Sequence, residues 1–125
     1  MRTQSVTYFT EHEEEFVNLL IEIGMRRTVA KVLVYLANTE EATSRDIERG
    51  TDLRQPEVSI AMNYMFGRDW LKNRESKAMS KGRPVKIYSL AKPIAKIMDS
   101  IEQEKKEEAR HRLEQVKKLR QYLPK

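Results

Sequence analysis

A mainly α-helical fold carrying one small β-hairpin (α+β) follows from three features of this sequence. Apolar residues recur at helical spacing through most of residues 11–67. A basic, turn-forming KGRP tetrapeptide separates two short segments, 70–78 and 85–90, that read as paired strands. After Pro93 a highly charged stretch carries two apolar blocks at helical spacing. With 125 residues, 39% of them hydrophobic and 34% charged, the chain has room for one compact core and an appended helix.

The first helix is predicted over 11–23. Thr10 is its N-cap, Glu13 completes a capping box, and Glu11, Glu14 and Glu15 suit the positive end of the helix dipole. Phe16, Leu19, Leu20 and Ile23 form its apolar stripe, and Gly24 stops it. MRRTVAKVLVYLANT follows, with Val29, Val32, Leu33 and Leu36 as a buried stripe. Its β-branched residues would also suit a strand, but its length favours a helix.

Two shorter helices come next. Thr43 caps SRDIERG with Asp46 three residues on, and Gly50-Thr51-Asp52 breaks the chain. QPEVSIAMNYMFG has Pro56 in its first turn, where a missing N–H has no helical partner. Val58, Met62, Met65 and Phe66 keep its period, the methionines read as core, and Gly67 ends it. Two short helices joined by a tight turn make a helix-turn-helix over 43–67.

The segment 85–90 (VKIYSL) is β-branched and aromatic, a clear strand; 70–78 is more polar. Gly82 supplies the turn between them, Pro84 stands at the strand entrance, and Trp70 and Leu71 anchor the hairpin to the core. Either strand face, Tyr88 with Leu90 or Val85 with Ile87, could be the buried one. In the helix after Pro93, Ile94, Ile97, Met98 and Ile101 form a block that packs on the domain. Leu113, Val116, Leu119 and Leu123 form a second block with 3–4 spacing. That block suits a coiled-coil partner helix from a second copy, or a fold-back onto the first helix.

Charge is unevenly placed. Residues 1–67 hold 7 Lys/Arg against 11 Asp/Glu, residues 68–96 hold 9 against 2, and residues 97–125 hold 8 against 6. The positive excess sits on the hairpin, which points to an anionic partner, nucleic acid foremost. No cysteine is present, so disulfides and thiolate metal sites are excluded. His12 and His111 lie at opposite ends and read as surface residues; no cofactor is expected. No nucleophile–His–acid pattern or phosphate-binding glycine loop occurs, so no enzymatic activity is expected. With no apolar run of membrane length and no signal-like N-terminus, a cytoplasmic protein is expected.

Two stretches carry a resemblance. LRQPEVSIAMNYMFGRDWL resembles the recognition helix of small prokaryotic winged-helix regulators, and KGRPVKIYSL resembles their wing. Together they are similar to the ArsR-, MarR- and TrmB-like group, with an archaeal character. The resemblance implies a winged helix-turn-helix domain over 1–92 (wing 70–90) and a long C-terminal helix over 93–125. It also implies a homodimeric regulator of transcription that binds double-stranded DNA, with helix 55–67 in the major groove and wing residues 80–86 on phosphates or the minor groove. On matching positions Gln55 and Ser59 contact DNA, beside Arg54 and Asn63, while Lys81, Arg83 and Lys86 serve the wing.

Bidentate Gln and Arg pairs with bases and lysine–phosphate contacts fit these roles. This helix departs from the family in carrying Glu57, Ile60 and Ala61, an acidic-apolar rather than basic surface. Ile60 could touch a thymine methyl and Glu57 accept from cytosine N4. The same three residues would also suit a protein-interaction module of the transcription machinery. The sequence assigns no effector.

Overall fold

The computed structural model describes residues 9–76 and 83–125. Five α-helices and one antiparallel hairpin follow in the order α1 (Glu11–Glu22), α2 (Arg27–Ala37), α3 (Ser44–Thr51), α4 (Gln55–Gly67), β1 (Leu71–Ser76), β2 (Val85–Leu90) and α5 (Ile94–Leu119). A short 3₁₀ turn, Arg120–Tyr122, extends the last helix. The chain divides into two compact units, Met1–Lys92 and Pro93–Lys125.

In the first unit α2 is the centre, packed against α1, α3 and α4. Val29, Ala30, Val32, Leu33, Val34 and Leu36 are all buried, so the helix is apolar nearly all round rather than on one stripe. That explains its β-branched composition: enclosure by neighbouring helices outweighs weak helix propensity. Both predicted capping boxes are present. Thr10 Oγ1 accepts from Glu13 N at 3.1 Å while Glu13 Oε1 accepts from Thr10 N at 2.9 Å. Thr43 and Asp46 make the equivalent pair at 3.1 Å each way.

Two details differ from the sequence reading. On α1, Val17 and Leu20 are the buried residues, while Leu19 and Ile23 are 60% and 43% exposed. Residues three apart share a face and Leu19 lies off it, so α1 meets α2 along the Val17–Leu20 side. Gly50 and Thr51 do not break the chain; they complete α3, and Asp52 turns it in the left-handed region at φ 58°. Gly50 is glycine for room, because a Cβ there would run into the Tyr35 ring. Beyond α4 the left-handed residue is Asp69 (φ 62°), with Gly67 ending the helix in open space.

The hairpin pairs Leu71 with Leu90 through Ser76 with Val85. On its other edge β2 meets Ala42, whose N–H donates to Tyr88 O (3.0 Å) and whose O accepts from Tyr88 N (2.7 Å). Strand β2 is therefore central, flanked by β1 and by the segment leading into α3. Val85, Ile87, Tyr88 and Leu90 are all half-buried, so neither face is the single core face. Trp70 is buried, donates from its N–H to Met65 O and accepts from Ala91 N, which ties both ends of the hairpin to α4. Gly82 and the rest of the turn lie outside the described residues.

In the second unit Ile97 and Ile101 are buried, and Leu113, Val116, Leu119 and Leu123 are each more than half exposed.

Gly50→Ala is expected to destabilise the domain by about 1–3 kcal/mol through overpacking, read from urea unfolding. Combining it with Tyr35→Ala should recover part of that loss, a non-additive pair.

Candidate nucleic-acid interface

Three residues separate α3 from α4, which turns its inner side, Val58, Ala61, Met62 and Met65, into the core. Its outer side carries Arg54, Gln55, Ile60 and Asn63, all exposed, with Glu57 and Ser59 half-buried between them. Gln55, Ser59 and Asn63 stand four residues apart and form one row along the helix. Gln55 Nε2 donates to Ser59 Oγ at 2.8 Å, so the two polar groups closest to the helix start already orient each other.

Ala61 does not belong to this surface; it is fully buried. Its neighbour Ile60 is 55% exposed, because consecutive helical residues point about 100° apart. Glu57 has a local task. Its Oε1 accepts from the Arg54 backbone N–H at 2.9 Å, closing the start of α4, where a carboxylate also complements the helix dipole.

Sequence reasoning did not single out a second element beside this surface. The start of α2 comes against this surface, and Arg26, Arg27 and Thr28 line a groove of about 340 Å³ with Glu57 and Ile60. Arg26 and Arg27 are exposed. The only available signal was the arginine pair itself, lost when charge was summed over an acidic first half of the chain. Arg27 also borders a second depression, with Glu14, Lys31 and Asp52. There burial and the nearby Arg27 hold the Lys31 amine below its usual pKa, against the opposing pull of Asp52, Glu57 and Glu14. The Lys31 ammonium points to the α3 C-terminus, donating to Thr51 O at 3.4 Å.

On the hairpin, Arg83 is exposed just before β2, and Lys86 is exposed opposite Glu75 in the register. Lys81 lies outside the described residues. Arg74 is held by Glu41 through a forked pair, Nη2 to Oε1 at 2.8 Å and Nε to Oε2 at 3.0 Å. That hydrogen-bonded guanidinium lowers the Glu41 carboxyl pKa, and the carboxylate raises that of Arg74. Arg68 stacks over the rings of Tyr64 (5.2 Å) and Trp70 (5.0 Å) where α4 meets the hairpin. Among the described residues no group of three His, Cys, Asp or Glu side chains converges to hold a metal ion, and no helix is long and apolar enough to cross a membrane.

A helical core, a helix-turn-helix and a hairpin anchored behind the second helix define a winged helix-turn-helix fold. Solved structures share it. The archaeal chromatin protein TrmBL2, described as showing a novel mode of DNA binding, superposes with a TM-score of 0.68 over 87% of this chain at 16% identity. A structure described as a transcriptional regulator gives 0.54 over 68% at 14% identity. The transcriptional regulator PA4135 gives 0.50 over 91% of both chains at 19% identity. The chain spans 39% of the TrmBL2 chain and 56% of the second structure. At these identities the likeness is one of fold. No protein-family model and no curated protein sequence matches the chain.

Proposed function

We propose that this chain is a non-enzymatic, cytoplasmic transcription regulator that binds double-stranded DNA as a homodimer, with α4 in the major groove. The observation that carries this reading is the outward side of α4. Arg54, Gln55, Ile60 and Asn63 are exposed there with Ser59 half-buried among them, and on a winged-helix scaffold an exposed polar row of this kind supports base reading. Gln55 pairs with adenine, Ser59 supports it, Ile60 meets a thymine methyl, and Glu57 closes the helix start. Arg83, Lys86 and Lys81 add a wing whose charge engages phosphates irrespective of sequence. The fold shared with a chromatin protein described as binding DNA supports the same reading.

A second reading has a specific observation behind it. Ile60 is 55% exposed beside an acidic Glu57, a surface that would also suit a protein partner. Retention on random duplex DNA at about physiological salt separates the two, since a protein-binding module flows through.

Residues 93–125 serve as the dimerisation arm in this reading. Leu113, Val116, Leu119 and Leu123 are 52–65% exposed, and Tyr122 is 81% exposed, an apolar end that a second copy would cover.

Selection of bound sites from random DNA should return a two-fold symmetric sequence. Arg83→Ala with Lys86→Ala should weaken binding at low salt and make log affinity fall less steeply with log salt, by about one contact per residue lost. Unchanged salt dependence would remove the wing from the interface. Gln55→Ala should relax preference at one base position, costing about 1–3 kcal/mol there; equal losses on every sequence would argue against base reading. Truncation after Ile101 should give a folded monomer by sedimentation, and a truncated chain that still dimerises would place the interface elsewhere.

A further inference from the structure

We infer that the groove between the start of α2 and the flank of α4 is a second backbone-binding site, in which Arg26 and Arg27 hold a phosphate of the strand running beside the recognition helix. The inference rests on the DNA-binding reading above and extends it to residues outside both the helix-turn-helix and the wing.

Three observations carry it. Arg26 and Arg27 line the groove together with Ile60, a residue of the base-facing side of α4. In the proposed docking of α4 in the major groove, the sugar-phosphate strand beside the helix runs past them. Among the described residues, no carboxylate forms an ion pair with either guanidinium, unlike Arg74, which Glu41 holds in a fork. Both residues are exposed, and a guanidinium's planar set of donors matches phosphate oxygens. Glu57, the one acid on the groove wall, has its Oε1 on the Arg54 N–H, so its charge is fixed at the helix start. Arg26 and Arg27 line the groove on the other side of that acid.

The test is a salt titration of the full-length chain on random-sequence duplex DNA, comparing wild type, R26A/R27A and R26K/R27K. Each lost phosphate contact removes about 0.9 from the slope of log affinity against log salt. R26A/R27A is expected to lower that slope by about 1 and to weaken binding about tenfold at low salt. R26K/R27K should keep most of the slope, since lysine retains the charge. Sites selected from random DNA should stay the same for all three proteins. An R26A/R27A slope equal to wild type overturns the inference and leaves the DNA reading standing. So does a loss accompanied by a lowered unfolding midpoint that R26K/R27K does not restore. Wild-type protein with no salt-dependent binding defeats the DNA reading itself, and the groove falls with it.

Discussion

Six of the eleven residues of α2 are buried, and a helix in that state has to be enclosed by its neighbours. Each fully buried Val or Leu is worth about 1.5–3 kcal/mol relative to exposure, so the enclosure dominates the small core. Helix α1 lies on one side through Val17 and Leu20, α3 through Ile47, and α4 through Val58, Ala61, Met62 and Met65. The approach of α3 is close enough that Gly50 must be glycine against the Tyr35 ring. The angle at which α4 presents its outer side is thus a consequence of packing around α2, set before any ligand arrives.

The hairpin depends on the same core by a different route. Trp70 is buried and its backbone bonds to Met65 and Ala91, closing the base of the wing. Tyr88 joins β2 to Ala42 through two backbone hydrogen bonds and meets Phe66 edge-on at 6.2 Å between centroids. A two-stranded ribbon alone is marginal in water; these attachments to α4 and to the lead-in of α3 give it independent footing. The hairpin strands and α4 therefore share one base in the core.

Charge was the least faithful guide when averaged along the chain. The eleven acidic residues of 1–67 outweigh its seven cations in sequence, yet Arg26 and Arg27 line a groove with Glu57 and Ile60 of α4. With a Debye length of about 8 Å at physiological salt, the charges near a surface govern it, and distant ones are screened. Glu57 is an instance of the same principle at shorter range: its carboxylate accepts from the Arg54 N–H and closes the start of α4.

Much of this protein was legible from local chemistry. The capping boxes at Thr10 and Thr43, the first-turn Pro56, the strand VKIYSL and the anchoring Trp70 each depend on residues a few positions apart. The helix-turn-helix and hairpin could be read for that reason. What sequence could not supply was the relation between faces distant along the chain. Whether α1 buried Val17 or Leu19, whether Gly50 was a breaker or a contact, and whether Ala61 lay outside or in were settled by which neighbours each helix met. The placing of Arg26 and Arg27 beside Ile60 is of the same kind, since thirty-odd intervening residues separate them and only the burial of α2 brings them together. Periodicity and capping act over one or two turns of chain, whereas a binding surface is assembled by packing, and packing is a property of the whole core.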